Sequence, residues 1–299
     1  MIFDLKNIEV DVLKTFDGQF NYFNPSCLGD LIVFRREFKH DDTVLISDIV
    51  DNNQNILLNH QLSDEYLISY EDARIINNED ISFAACKRYK TDFSKVKNVE
   101  FKKYNRTSKE ITNFRTQQSH FEKNWQFISQ DRILYHIDPY TIINAKENVL
   151  IKKQVNFKYW SKLYGAPRLS TNIFTIDDKK YILFHSSTYL GFLHIKYYIG
   201  LLRLDAEDSP IGYYVNPFFE SSRDYSDIDL LTALWEWRRV KSFNNLFFQY
   251  EVIFPMNVVV DKENINIYSG LNDCSAVNIK IPMQEFKKTL EDEHLILFY

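Results

Sequence analysis

The chain has 299 residues, 45% of them hydrophobic and 26% charged, the balance of a soluble globular protein with enough length to bury a sizeable core. Its formal net charge of −5 carries no basic footprint for nucleic acid, and no run of five or six like charges marks a basic or acidic tail. The N-terminal MIFDLKNIEV has no basic region followed by an apolar one, and no stretch reaches the roughly 18 apolar residues of a membrane span, so the expected location is the cytoplasm.

Most segments read as strands in chain order: 30–37, 43–50, 81–89, 132–136, 141–144, 171–176, 180–186, 197–204, 251–260 and 265–269. They are rich in Ile, Val, Tyr and Phe and are bounded by polar clusters. Asp177-Asp178-Lys179 and Asp261-Lys262-Glu263-Asn264 read as tight turns between strand pairs. With only 7 Gly and 7 Pro, the plentiful Asn supplies left-handed turn positions. Helical periodicity is confined to Ser226–Val240, capped by Ser226 or Asp227, and to PMQEFKKTLED, with Pro282 at the start. The polar stretch 106–122 reads as a long excursion between strands. Many short strands with few helices predict an all-β sandwich, barrel or propeller, organised as one domain over 1–299.

The three cysteines, Cys27, Cys86 and Cys274, are far apart and odd in number, so they form neither a disulfide framework nor a metal site, and reduced buried thiols are expected. The seven histidines do not cluster at metal-ligand spacing, and no P-loop, HExxH, GxSxG or GxGxxG occurs. The aromatic share, 16%, suits pleated surfaces first and sugar-binding clefts second. Trp235 and Trp237 fit a core role better than a sugar-stacking one.

Seven motifs occur in order: FNPSCLGDLIVFRRE, YEDARI, EKNWQFI, GAPRLS, YILFHSS, GLLRLDAEDSP and VIFPMNVVVDKENINIYSGLND. The series resembles glycoside hydrolase family 130 and its relatives, the β-mannoside phosphorylases and β-1,2-mannosidases, over residues 20 to 290. The resemblance implies a five-bladed β-propeller with few short helices. It also implies an inverting, phosphorylase-type transfer at a glycosidic bond. Neither a metal nor an organic cofactor is implied, only inorganic phosphate or a sugar phosphate as co-substrate. The expected partner is a carbohydrate substrate, and a homo-oligomer is compatible with the sequence.

Site residues follow from the same resemblance. The family's Glu-Asp-Pro-Arg stands here as Glu71-Asp72-Ala73-Arg74, which makes Asp72 the general acid. The exchange of Pro for Ala touches backbone stiffness and leaves the charges in place. Phosphate carries about −1.5 to −2 charge, so cations must converge on it. Lys123 in EKNW and His185 in LFHSS fall at the phosphate-binding positions of the phosphorylases, with Arg36 and Arg74 as further candidates. One more phosphate arginine falls near Arg88 or Lys90, and neither lines up cleanly. Asn24 in FNPS and Asp273 in GLND match positions facing the sugar. Taken singly, each residue also fits an ordinary role: a surface ion pair for Asp72 and Arg74, a solvated Lys123, a satisfied core His185, turn positions for Asn24 and Asp273. Arg35 and Arg36 are neighbours on a strand, so at most one enters a cleft, and the family pattern favours Arg36.

Three further readings stand beside phosphorolysis. A glycosyltransferase would use the basic pocket for the phosphates of a nucleotide-sugar. A non-catalytic glycan-binding propeller would explain the departures at Ala73 and after Arg88. A hydrolase needs two carboxylates and usually lacks the basic residues at Lys123 and His185.

Overall fold

The computed structural model describes residues 3–4, 8–15, 17, 19–39, 45–113, 124–144, 146, 148–189, 195–220, 253–271, 275–290 and 294–298. Numbered in chain order, the first strands are β1 (Phe3–Asp4) and β2 (Glu9–Lys14). Blade 1 then follows as β3 (Asn21–Leu28), β4 (Leu31–Lys39), β5 (Leu45–Asp51) and β6 (Ile56–Leu58), each antiparallel to the next. Blade 2 comprises β7 (Gln61–Leu62), β8 (Tyr66–Ile75), β9 (Asp80–Tyr89), β10 (Asp92–Asn105) and β11 (Ile111–Asn113). Blade 3 is β12 (Gln126–Phe127), β13 (Arg132–Ile137), β14 (Tyr140–Asn144) and β15 (Val149–Lys153).

A short helix, α1 (Lys158–Tyr164), leads into blade 4. There β16 (Arg168–Leu169) and β17 (Phe174–Ile176) both pair with β18 (Lys179–Tyr189), which pairs with β19 (Ile195–Leu204). Beyond β19 lie β20 (Pro210–Tyr214) and β21 (Phe219–Glu220), and β1 adds to β21 in parallel. Blade 5 is β22 (Ile253–Val260), β23 (Asn264–Leu271) and β24 (Ser275–Pro282), with β2 as its fourth strand. The chain continues as α2 (Met283–Lys288), which starts after Pro282 as expected, and β25 (Leu295–Leu297), which pairs with β20. The five sheets form a five-bladed β-propeller.

The hydrophobic core is divided among the five seams between blades, as a closed ring requires. Tyr22, Phe34 and Val50 of blade 1 pack with Ala276 of blade 5. Val33 and Ile49 meet Tyr70 and Phe83 across the seam to blade 2. Phe101 packs with Trp125, Phe127 and Ile133 between blades 2 and 3. Leu134 and Ile142 meet Ile182 and Phe184 between blades 3 and 4, where Trp160 of α1 is fully buried and donates from Nε1 to Ser186 Oγ at 2.9 Å. Leu183 and Ile199 face Val258 and Ile267 between blades 4 and 5. Pairing of β2 with β24, from Glu9↔Lys280 to Lys14↔Ala276, gives blade 5 its outer strand from an early part of the chain.

Every strand expected from alternation is present within a few residues of its expected bounds. The turn at Asp177 and Asp178 has φ of 47° and 60°, the left-handed pair that a tight hairpin demands and Asp tolerates. Four long strands were not anticipated, namely β3, β8, β10 and β24, nor was α1, whose seven residues are too few to display a period. The expected helix at 226–240, Trp235, Trp237 and Cys274 lie outside the described residues, as does most of 106–122. Cys27 and Cys86 are buried.

Candidate functional site

The strands that open the blades surround the axis. In that ring β3 touches β8 and β22, and β22 also touches β8. Three of these strands carry an irregularity at the same level. Pairing of β8 with β9 breaks between Glu71 and Arg74, so Asp72 and Ala73 together oppose a single residue. Similarly, β3 breaks between Phe23 and Ser26, at Asn24 and Pro25, and β22 breaks at Met256. An extra residue of this kind moves the side chains that follow to the other face of the strand. On β8 the core face is Ile68 and Tyr70 before the bulge, then Ala73 and Ile75 after it. Asp72, which plain alternation would have sent into the core with Ile68 and Tyr70, is released from it.

Two of the bulges place a left-handed backbone on a side chain that tolerates it. Asn24 has φ 51° and Asp72 has φ 52°. Asn and Asp visit this region because their short polar groups can bond locally, and such conformations concentrate where function holds them. The two side chains meet: Asn24 Nδ2 donates to Asp72 Oδ1 at 2.7 Å. Asn24 is buried, whereas Asp72 is half-buried and keeps access to solvent. Behind Asn24 stands Gly270, where a Cβ would lie 2.2 Å from Asn24 Oδ1, so only glycine lets β23 come this close.

Arg74 crosses the centre of the ring. It is 2% exposed, and its Nη1 donates to Gln126 Oε1 of blade 3 at 2.9 Å, to the Ser170 carbonyl of blade 4, and to the Met256 carbonyl of blade 5 at 2.8 Å. Its Nη2 is buried with no acceptor among the described residues. Burial pulls the guanidinium down to about 10, opposed by the charge of Asp72, so it remains a cation at neutral pH.

His185 joins the same group through Ser170, whose hydroxyl lies 2.8 Å from Nδ1. The ring is 1% exposed, stacks on Tyr197 and meets Phe254 edge-on at 4.7 Å. Burial, reinforced by the charges of Arg168 and Arg74 and opposed by the Leu169 backbone, pulls His185 down to about 3. It is therefore a neutral imidazole at physiological pH and offers hydrogen bonds, with no charge to attract an anion.

Of the residues expected from sequence, Asn24 and Asp72 meet through their side chains, Arg74 and His185 are joined through Ser170, and the charge of Asp72, two residues away, acts on Arg74. Arg36 is engaged elsewhere: Nη2 donates to buried Asp48 Oδ2 at 2.7 Å and the guanidinium lies 4.5 Å over the Phe20 ring. None of these partners belongs to the axial group. Its neighbour Arg35 comes closer, with Nη2 3.5 Å from Oε1 of Glu71, the residue before Asp72. Lys123 and Asp273 lie outside the described residues.

Residues that the sequence reading passed over hold the group together. Gln126, Ser170 and Met256 stand inside motifs already singled out. Asn172 and Asn257 form an amide chain: Asn257 Nδ2 donates to Asn172 Oδ1 at 3.0 Å, and Asn257 Oδ1 accepts from the Cys27 backbone at 3.2 Å. That chain runs from blade 4 through blade 5 to blade 1. A cavity of about 20 Å³, room for one water, is lined by Leu201, Tyr214, Asn216, Phe218, Thr289 and His294 and shares no residue with the axial group.

No protein-family profile matches the chain, and no curated protein matches it in sequence. Solved structures do match. A mannose phosphorylase from Leishmania mexicana, in complex with phosphate ion, aligns at a TM-score of 0.55 and 14% identity, over 98% of this chain and 92% of that one. The β-1,2-mannobiose phosphorylase of Listeria innocua aligns at 0.53 and 14% identity, over 87% of this chain and 69% of that one. A GDP-Man-dependent mannosyltransferase from Leishmania mexicana aligns at 0.54 and 14% identity, over 92% and 89%. The chain shares the propeller fold of these proteins. The resemblance read from the motifs therefore holds at the level of fold.

Proposed function

We propose that the protein is a carbohydrate-active enzyme acting on glycosidic bonds, most concretely an inverting phosphorylase of β-mannosides. The observation that carries this reading is the axial pair: a solvent-accessible Asp72, fixed by Asn24, beside the buried cation of Arg74. The phosphorylases that share the fold agree with it.

In this reaction Asp72 gives its proton, directly or through a sugar hydroxyl, to the oxygen that leaves the anomeric carbon. A phosphate oxygen attacks that carbon from the opposite face, the old C–O bond breaks, and the products are an α-sugar 1-phosphate and a free hydroxyl. One proton donor suffices, because phosphate arrives already nucleophilic. The only neighbouring carboxylate in the stretch, Glu71, is buried and 3.5 Å from Arg35, which suits one-carboxylate chemistry better than water activation. Arg74 supplies charge for the phosphate, His185 a neutral ring beside it, and Lys123 a second cation by its place in EKNW. Asn24 positions the acid, and Asp273 is assigned to the sugar. Arg36 has the weaker claim to the phosphate, being paired with Asp48.

The alternative is glycosyl transfer from a nucleotide-sugar, favoured by the mannosyltransferase of the same fold. The test is to incubate the protein with mannose 1-phosphate and a panel of acceptor sugars, and separately with GDP-mannose. Phosphate release from the first alone supports phosphorolysis run backwards. Nucleotide release from the second alone supports transfer. Glycan binding with neither release would leave a non-catalytic propeller and end the enzymatic proposal.

A further inference from the structure

The two terminal nitrogens of Arg74 have unlike surroundings. Nη1 meets three acceptors, one from each of blades 3, 4 and 5, although it carries only two hydrogens. Nη2 is buried and meets none among the described residues. A buried donor without a partner is costly, and a cation's more so, which makes the asymmetry unlike ordinary core packing. The strand that bears Arg74 belongs to blade 2, and two residues earlier Asp72 is bonded to Asn24 of blade 1. A span of three residues on blade 2 therefore makes contact with each of the other four blades.

We propose that Arg74 is a positioning residue whose guanidinium is divided in function: Nη1 ties blades 3, 4 and 5 to the strand that carries Asp72, and Nη2 is kept for the anion of the substrate. The division rests on the phosphorylase reading for Nη2 alone; the tie stands on geometry. Two of the three acceptors are backbone carbonyls, so the tie fixes main chain, and Gln126 is the single side chain in it. Because Arg74 closes the bulge that contains Asp72, holding Arg74 in register also holds the bulge that frees Asp72 from the core. An anion-binding residue alone would need no such convergence.

Lysine and methionine separate the two halves. An ammonium has three hydrogens on one nitrogen and can serve three acceptors at one point, but it has no second nitrogen to offer. Methionine removes both. The experiment is hydrogen–deuterium exchange on wild type, Arg74→Lys and Arg74→Met, followed over residues 124–128, 168–172 and 254–258, with kinetics of phosphate release from mannose 1-phosphate alongside. In Arg74→Lys the three segments keep wild-type protection, kcat stays within about threefold and KM for the sugar phosphate rises about tenfold or more. In Arg74→Met all three segments exchange faster and kcat falls about tenfold or more as well, the loss expected when hydrogen bonds to a charged group disappear. An Arg74→Met protein that does not fold, beside a native Arg74→Lys, also supports the tie. Wild-type protection in Arg74→Met would overturn it, as would loss of protection in Arg74→Lys. An unchanged KM in Arg74→Lys would overturn the role of Nη2. If wild type turns over neither donor, the enzymatic reading fails while the exchange arm still decides the tie.

Discussion

The bulge of blade 1 and the bulge of blade 2 are the same backbone device with different cargo. Asn24-Pro25-Ser26 and Asp72-Ala73-Arg74 each insert one residue, each begin at φ near 50°, and their first side chains bond to each other. In blade 1 the device carries an amide and a hydroxyl: Asn24 orients Asp72, and Ser26 Oγ accepts from the Ile75 backbone of blade 2 at 3.1 Å. In blade 2 it carries a carboxylate and a guanidinium, groups that can move a proton and meet an anion. The difference teaches that a repeated fold can use one copy of a motif as scaffold for the chemistry of the next.

The sharpest way to break the comparison is to move the carboxylate. Asp72→Asn keeps an oxygen for Asn24 Nδ2 to reach, so the fold should hold, while turnover falls about 10²- to 10⁴-fold, the usual worth of a general acid. The double variant Asn24→Asp/Asp72→Asn restores a carboxylate to the pair, but on blade 1, and turnover should stay at that low level. Circular dichroism melts beside product assays check both; recovery in the double variant would show that the two bulges are interchangeable.

Next in size is Gly270→Ala. Its Cβ would press on Asn24 Oδ1 and on the β3 backbone, a cost of about 1–3 kcal/mol measured by denaturant unfolding. Turnover should fall with it, because the displaced amide no longer orients Asp72.

The blade 4 side offers the contrast of a buried base kept neutral. His185 is held near 3 in the fold against an ordinary value of 6.5, so below about pH 6.5 the unfolded chain takes up a proton that the folded one refuses. Stability should therefore decline as pH falls from about 6.5 towards 3, by at most about 1.4 kcal/mol per pH unit from this group. His185→Asn should flatten that slope in melts taken across the range; an unchanged slope would mean that the ring accepts a proton in place.

The smallest effect concerns Ala73, which occupies in blade 2 the place of Pro25 in blade 1. A left-handed residue already precedes proline at Asn24-Pro25, so Ala73→Pro should be tolerated and should stabilise by about 0.4–1 kcal/mol through the unfolded chain. Marked destabilisation would show that the two bulges differ at this residue.

Alternation made β4, β9, β13, β18 and β23 legible, each paired on both sides and sending alternate residues into the seams beside it. It failed for β3 and β8 because their bulges reverse the alternation halfway and their central residues are polar. Those same stretches were legible as chemistry through FNPS and YEDARI, so the site was located by residue type where the strand pattern gave nothing. The convergence on Arg74 was not legible. Gln126, Ser170 and Met256 lie 52, 96 and 182 residues along the chain from it, and only closure of the ring makes them neighbours. Alternation also says that Arg35 and Arg36 diverge without saying which goes where. In the structure Arg35 reaches the strand of Asp72, and Arg36 stays with Asp48.

A crystal structure with mannose 1-phosphate bound tests the central claim most directly. The account predicts the phosphate within hydrogen-bond distance of Arg74 Nη2 and the sugar against the Asp72 carboxylate, with the Asn24–Asp72 bond intact. A ligand bound only at the outer edges of the blades, with the axis beside Asp72 empty, would contradict it.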